Sequence, residues 1–201
     1  MTTLHLIRHG QTDWNLERRI QGQTDSTLSD DGRAQAASIA NELSSHPFAA
    51  AYSSSSVRAR DTATAILRHH AIELQLRDEM REILLGAWEG RLYQDVKEQD
   101  PINHGYFAED PSRFALDGAE TFYQVQARAM ALVNDLVQQH PGEQVLLVSH
   151  GIWIKTILTH IEQRPMKNFW RPPQMENCCH SIIEFNQDQA KIIQYAGLVQ
   201  W

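Results

Sequence analysis

The chain has 201 residues, of which 42% are hydrophobic and 21% charged, a composition typical of a globular protein that buries one apolar core. Its net charge of −7 disfavours general nucleic-acid binding, because counterion release on a polyanion requires clustered lysines and arginines. No apolar run approaches the ~20 residues that span a bilayer, and no basic leader opens the sequence. We therefore expect a single domain over residues 1–201, located in the cytoplasm and without a membrane partner.

Short apolar runs bounded by polar or turn residues predict six β-strands. They lie at residues 3–7, 48–54, 72–76, 144–149, 181–185 and 190–195. Only residues 186–189, all polar, separate the last two runs, and this spacing predicts a C-terminal β-hairpin. The edges of these terminal strands leave the formation of a homodimer open.

Apolar residues at helical spacing predict long helices between the first four strands. The first helix begins after Ser29, a favourable N-cap, and the next two cover residues 57–70 and 118–140. Gly151 opens a further helix directly after the fourth strand. Strands that alternate with helices predict an α/β fold, a three-layer sandwich in which helices flank a mostly parallel central sheet.

Residues 84–118 interrupt this alternation. The segment is rich in aromatic and acidic residues, contains two prolines, and has helical spacing only near residues 91–98. We interpret it as a cap insertion that covers the carboxyl ends of the strands within the one domain. Some of its aromatic rings are expected to line the leaving-group side of the pocket, which would suit a substrate with an apolar or ring-shaped part, although core packing is the more common role of such rings.

The two cysteines, Cys178 and Cys179, are neighbours in the chain. A disulfide between adjacent residues is strained, so we expect two reduced thiols. His180 extends them to three metal-binding residue types, but adjacent positions on a strand point to opposite faces and the chain has no second cysteine pair. We therefore expect neither a bound metal nor another cofactor.

Two of the predicted parallel strands deliver a histidine to their carboxyl ends. His9 and His150 each follow an apolar run and precede a glycine, which lets the backbone turn sharply. Ligands of open parallel sheets bind at this edge, so the two imidazoles are expected to meet there. Arg8 ends the first strand and Arg58 lies at the start of a helix after the second strand. A guanidinium in an apolar setting needs an anion, and its planar fork suits phosphate oxygens.

Four motifs along the chain carry a resemblance to a known family. In order, they read LIRHGQTDWN, SSSVRARDTA, EILLGAWEG and VLLVSHG. Their sequence and separations resemble those of the histidine phosphatase superfamily, the phosphoglycerate-mutase-like proteins. The later segment MENCCHSIIEF is similar to the closing strand of that family, so the resemblance covers nearly the whole chain.

The resemblance implies a role for each matching position. His9 is the expected nucleophile and Glu82 the expected proton donor. The expected phosphate-binding residues are Arg8, Arg58, His150, Asn15 and Gln21. Gly151 adds the free backbone donors of a helix N-terminus. Phosphoryl transfer needs in-line geometry and charge neutralisation, which two arginines and a second imidazole supply without a metal while His9 forms a phosphohistidine.

These expectations favour a metal-independent phosphomonoester hydrolase that acts on a small phosphorylated metabolite and releases inorganic phosphate. The segment LDGAETFYQVQAR resembles that of broad-specificity phosphatases and of alpha-ribazole phosphatases. The related cofactor-dependent mutases carry an arginine directly after the catalytic glutamate, where this chain has Ile83. A phosphoglycerate mutase remains the first alternative, and a phosphohistidine-protein phosphatase or a non-catalytic regulator that binds a phosphorylated ligand is the second.

Overall fold

A single mixed β-sheet forms the centre of the computed structural model, which describes residues 1–186 and 189–199. Within these residues the seven strands are β1 Thr2–Arg8, β2 Phe48–Ser54, β3 Leu74–Arg77, β4 Gln144–Ser149, β5 His180–Asn186, β6 Gln189–Tyr195 and β7 Leu198–Val199. Their order in the sheet is β3-β2-β4-β1-β5-β6-β7. This arrangement confirms the predicted α/β class.

The first four strands along the chain pair in parallel, and the last three are antiparallel. β1 lies between β4, its parallel neighbour, and β5, its antiparallel neighbour. β5 and β6 form the predicted hairpin, whose loop residues 187 and 188 lie outside the described residues. β7 was not predicted, because a two-residue strand carries no periodicity.

Helices cover both faces of the sheet. They are α1 Asp13–Leu16, α2 Asp30–Glu42, α3 Val57–Leu67, α4 Tyr93–Gln99, α5 Pro101–Glu109, α6 Phe122–Gln139 and α7 Gly151–Ile161. Short 3-10 helices occur at Asp78–Met80, Gly86–Trp88, Pro111–Arg113 and Met166–Asn168. Ser29 caps α2 as predicted, since its side chain accepts a hydrogen bond from the Gly32 N–H at 3.0 Å.

Several predicted boundaries were wrong by a few residues. The third strand begins at Leu74 rather than at residue 72, and the helix predicted from residue 118 begins at Phe122, where Thr121 forms a capping box. Residues 84–118 contain two α-helices rather than one. The missed helix, α5, begins with Pro101 after the capping residue Asp100, a start signal that the sequence does carry.

Alternation along β1 divides the apolar core into two layers. Leu4 and Leu6 belong to a cluster that includes α6 and α7, whereas Ile7 belongs to a cluster with α2 and α3. Successive side chains of a strand point to opposite faces, so these helix pairs lie on opposite sides of the sheet. The three-layer sandwich is therefore confirmed. All four parallel strands direct their carboxyl ends to the same edge.

Candidate active site

His9 directly follows β1 and is held in one tautomer. Its side chain is 3% exposed, and its Nδ1 donates to the carbonyl oxygen of Gly10 at 2.7 Å. A carbonyl only accepts, so the proton resides on Nδ1 and Nε2 keeps its lone pair. Burial lowers the pKa of His9 well below its ordinary value, and Arg58 and Arg8 lower it further. The imidazole is therefore neutral at physiological pH.

Glycines let two backbone segments meet beside His9. A Cβ on Gly10 would lie 2.5 Å from the carbonyl oxygen of Gly32, and a Cβ on Gly32 would lie 1.9 Å from that of Gln11. Neither position accepts a side chain without a backbone shift. The N-terminus of α2 thus packs directly against the turn that carries the nucleophile candidate.

His150 lies next to His9 because β4 and β1 are parallel neighbours in register. Arg8 pairs with Ser149, so the residues that follow them meet, and the two imidazole centroids are 5.2 Å apart. His150 is fully buried, and its Nε2 hydrogen-bonds to Ser54 Oγ at 2.8 Å. Its Nδ1 is buried and has no hydrogen-bond partner among the described residues. Burial, followed by the charge of Arg58, lowers the pKa of His150 well below its ordinary value.

Two arginines supply positive charge at this edge of the sheet. Arg58, in the first turn of α3, is 1% exposed and donates to the carbonyl oxygens of Gly22 at 2.7 Å and Thr24 at 2.9 Å. Arg8 donates from Nη1 to the carbonyl oxygen of Met175. The Nε atoms of both arginines are buried and unpartnered within the described part of the chain. Burial is the main cause that lowers the pKa of Arg58 to about 10, which still leaves it charged at neutral pH.

Glu82 lies at the N-terminus of α7. Its carboxylate accepts hydrogen bonds from the backbone N–H groups of Ile152 and Trp153, both at 3.1 Å. Arg128 donates to the backbone carbonyl of Glu82 at 3.0 Å and forms a 2.8 Å ion pair with Glu120. The carboxylate is therefore fixed by a helix end and its backbone by an arginine. Sequence reasoning assigned no role to Arg128, which lies within α6 as the last residue of the segment LDGAETFYQVQAR.

Asn15 and Gln21 turn their amide oxygens toward the protein. Asn15 Oδ1 accepts from the backbone N–H of Thr12 at 3.0 Å as part of the capping box of α1. Gln21 Oε1 accepts from Ser26 Oγ at 2.7 Å and from Thr12 Oγ1 at 3.0 Å. With both oxygens engaged, the NH₂ groups are the ends that remain available to a ligand.

Most of these side chains line one cavity of about 340 Å³. The predicted site residues on its wall are Arg8, His9, Asn15, Gln21, Arg58 and Glu82. Its other side is formed partly by the rings of Trp14, Tyr93 and Phe107 and by Arg18. His150 is buried behind this wall, and Gly151 lines a neighbouring cavity of about 300 Å³ that shares Arg8 and Glu82.

The aromatic residues of segment 84–118 divide between cavity and core. Tyr93 and Phe107 contact the cavity, whereas Trp88 and Phe114 are no more than 2% exposed and belong to the apolar core. Arg18 lines the cavity, and sequence reasoning assigned it no role. Arg18 adopts a left-handed backbone conformation with φ of +56°. The adjacent arginines Arg18 and Arg19 are the sequence feature that could have indicated a cation here, and Arg19 is the one already paired with Glu17.

Metal-binding residue types do not cluster in the described residues: no group of three or more His, Cys, Asp or Glu side chains is arranged to hold an ion. The described helices also include none that is long and apolar enough to cross a membrane.

Curated relatives match most of the chain. Phosphoserine phosphatase 1 of Hydrogenobacter thermophilus is 28% identical over 194 residues, 96% of this chain and 92% of the relative. The metal-independent phosphoserine phosphatase of Arabidopsis thaliana is 32% identical over 169 residues, 81% of this chain and 70% of the relative. The probable phosphoglycerate mutase GpmB of Salmonella choleraesuis is 29% identical over 191 residues, 94% of this chain and 87% of the relative.

A solved structure and a family model also match nearly the whole chain. The structure of Bacillus stearothermophilus YhfR superposes with a TM-score of 0.96 at 37% sequence identity, covering 100% of this chain and 98% of that one. The family model of the histidine phosphatase superfamily, branch 1, matches residues 4–196. The chain therefore belongs to the histidine phosphatase superfamily, and its activity is that of a phosphatase.

Proposed function

We propose that the protein hydrolyses small phosphomonoesters without a metal, with His9 as the nucleophile. The observation that carries the proposal is the neutral His9 imidazole, whose Nε2 lone pair is free while Nδ1 is bound to Gly10. It shares one cavity with Arg8, Arg58 and Glu82. This set matches the demands of phosphoryl transfer, which are a nucleophile, fixed positive charge and a proton donor.

The reaction proceeds in two displacements. His9 Nε2 attacks phosphorus, the bond between phosphorus and the ester oxygen breaks, and Glu82 gives its proton to the departing oxygen. Water then attacks the phosphohistidine, passes a proton to the Glu82 carboxylate, and the nitrogen–phosphorus bond breaks to release inorganic phosphate. Arg8 and Arg58 neutralise the phosphoryl oxygens in both steps, and the buried imidazole of His150 assists them.

The amides and one helix end complete the proposed phosphate site. The NH₂ groups of Asn15 and Gln21 are placed to donate to oxygens of the substrate, because their own oxygens are occupied. Gly151, where α7 begins, lines the neighbouring cavity beside Arg8 and Glu82, while the next two backbone N–H groups of the helix, those of Ile152 and Trp153, already donate to the Glu82 carboxylate. Residues 84–118 act as the cap, with Tyr93 and Phe107 against the leaving group.

A small metabolite fits the site better than a protein substrate, because the cavity of about 340 Å³ is bounded by ring side chains. The substrates named for the curated relatives, phosphoserine and phosphoglycerate, are small phosphorylated acids. Two features favour hydrolysis over mutase activity. Ile83 follows Glu82 at the position where the related mutases carry an arginine. Arg19 is already engaged by the Glu17 carboxylate and the Gly90 carbonyl oxygen, so it does not offer a second anion site. A cytoplasmic location, a homodimer and a single-domain organisation stay predictions.

The test is phosphate release in EDTA from a panel of esters. The panel contains an aryl phosphate, sugar phosphates, nucleotides, phosphoserine, 3-phosphoglycerate and alpha-ribazole phosphate, each with the wild type and with His9→Ala. We expect release in EDTA that His9→Ala abolishes, and the preferred ester identifies the substrate class. Activity restored only by added divalent ions would contradict the proposal, and conversion of 3-phosphoglycerate without phosphate release would favour the mutase.

A further inference from the structure

Lys155 is a cation buried within α7, one turn after Gly151. Its side chain is 1% exposed, and its Nζ donates to the carbonyl oxygens of Arg171 at 2.9 Å and Pro173 at 2.8 Å. A buried ammonium is costly unless its donors are satisfied, and buried carbonyls are likewise costly without a donor. Lys155 therefore fixes the backbone of residues 171–175, which we name the carbonyl loop.

The carbonyl loop also holds Arg8. The Arg8 Nη1 donates to the carbonyl oxygen of Met175, the last residue of the loop. This is the hydrogen bond that orients the Arg8 guanidinium within the described structure, since its Nε is buried without a partner. On its other side the Arg8 side chain packs against Gly151, where an added Cβ would lie 3.5 Å from Nε.

We propose that Lys155 is a positioning residue that fixes the Arg8 guanidinium through the carbonyl loop. The inference rests on the proposed function, in which Arg8 binds the phosphoryl group. Lys155 lines the neighbouring cavity of about 300 Å³ rather than the cavity that contains His9, so it acts on phosphate through Arg8. A guanidinium displaced by a fraction of an ångström binds a tetrahedral anion less well, because its two parallel hydrogen bonds lose their geometry.

A second cation, Arg164, also donates hydrogen bonds to the carbonyl loop. Arg164 donates to the carbonyl oxygens of Arg171 at 2.8 Å and Pro172 at 3.2 Å, and it forms a 2.8 Å ion pair with Glu162. The loop therefore keeps contacts when Lys155 is replaced. Loss of Lys155 should displace the loop rather than unfold it.

Titration of Lys155 offers a measurement that needs no substitution. Burial lowers the pKa of Lys155 to about 8; Arg164 lowers it further, and Glu162 and Cys179 oppose the shift. The other cation with a resolved shift in the site, Arg58, has a pKa of about 10. Above about pH 8, Lys155 becomes a neutral amine whose two remaining N–H bonds can still reach both carbonyls, but these hydrogen bonds lose their charge assistance, and the affinity of the site for inorganic phosphate should fall.

The experiment measures the inhibition constant of inorganic phosphate for four proteins: wild type, Lys155→Met, Arg8→Met and the double variant. We expect Lys155→Met to raise the constant about tenfold and Arg8→Met to raise it about 100-fold. The double variant should match Arg8→Met alone, because a residue that acts through Arg8 has no effect without it, whereas independent effects multiply. Thr159→Val, a buried change one turn further along α7, is the matched control and should leave the constant unchanged.

Two results would overturn the inference: an unchanged constant in Lys155→Met, or multiplied effects in the double variant. If Lys155→Met does not fold, Lys155→Gln, which keeps a neutral NH₂ group on a shorter side chain, takes its place in the same comparison with Arg8→Met. A normal constant in Arg8→Met would instead refute the proposed phosphate site, so failure of the proposed function is distinguishable from failure of this inference.

Discussion

At the scale of single residues, the hydrogen bonds of Glu82 restrict the movement of its carboxylate. The end of α7 donates two backbone hydrogen bonds to the carboxylate, and Arg128 holds its backbone, so the group can neither swing away nor approach the substrate freely. In the proposed mechanism, a proton donor fixed in this way acts on leaving groups that reach one position in the cavity. Its contribution should depend on how much the leaving group needs a proton.

We predict that Glu82→Gln slows hydrolysis of alkyl phosphates at least 100-fold and that of activated aryl phosphates far less. Glutamine retains an oxygen that can accept from α7, but it cannot transfer a proton. Steady-state rates with a series of leaving groups measure the effect. Glu79→Gln, at an exposed neighbouring position, is the control and should behave as wild type. Equal losses for both ester classes would remove Glu82 as the acid.

The site could be predicted to the extent that its residues follow strands or match family motifs. His9 and His150 meet because their strands are parallel neighbours, and both histidines end apolar runs visible in the sequence. Arg128 and Lys155 could not be predicted in this way. Each lies inside a helix and donates to backbone carbonyls that only tertiary packing brings near, and Arg128 also pairs with Glu120.

At the scale of elements, predictability follows burial. β2 and β4 were predicted at their observed bounds, because central parallel strands are buried on both faces and read as continuous apolar runs. The predicted start of β3 was two residues too early, because β3 is an edge strand whose exposed and half-buried residues do not form a clear apolar run. α5 was missed because its turns are apolar on more than one side and show little helical periodicity.

The contact between β1 and β5 contains a buried pair of histidines. His5 and His180 share a hydrogen bond of 3.0 Å, and His5 also bonds to Gln144 at 3.1 Å. Burial, followed by the charge of His46, lowers the pKa of His5 to about 4, and burial, followed by the charges of His5 and His46, lowers the pKa of His180 to about 3. Both imidazoles are therefore neutral in the folded protein at pH values where the unfolded chain already takes up protons.

We predict a loss of stability between about pH 6.5 and pH 4. The folded-state pKa values lie below the ordinary value, so the unfolded state binds more protons in this range and stability falls as pH falls. At about 1.4 kcal/mol per pKa unit, His5 alone contributes on the order of 2 kcal/mol at pH 4.5. Urea unfolding at pH 7 and pH 4.5 measures the difference.

His5→Gln should reduce that pH dependence, because it removes one of the titrating groups. His69→Gln, which changes an exposed histidine, should keep the wild-type dependence. If both variants lose stability with acid as steeply as the wild type, the acid sensitivity resides elsewhere, and the buried pair at the β1–β5 contact is not its source.

At the scale of the whole molecule, segment 84–118 is joined to the main core by aromatic rings. Phe114 packs against Trp88 with centroids 5.4 Å apart, and Phe107 packs against Trp170 at 5.6 Å. Phe122 of α6 contacts rings from both regions. The proposed cap therefore shares its interior with the sandwich, and the two should unfold together.

We predict that Phe114→Ala lowers the free energy of unfolding by about 3–5 kcal/mol, the usual cost of deleting a fully buried ring. Because the ring cluster belongs to the main core, the variant should still unfold in a single cooperative transition. Urea unfolding followed by tryptophan fluorescence and by circular dichroism measures both quantities. Tyr123→Ala, at a ring that is 51% exposed, should change stability by no more than about 0.5 kcal/mol. Separate transitions for the two probes would contradict a shared interior.

The place of β1 in the sheet has a consequence for synthesis on the ribosome. Its residue His5 bonds to Gln144, 139 positions away, and to His180, 175 positions away, so neither neighbour of β1 exists when β1 leaves the exit tunnel. Contacts of such long sequence separation form late and slowly. The strand that precedes His9 is thus enclosed on both sides only after His180 has been translated, and a nascent chain that ends before β5 cannot assemble the proposed phosphate site.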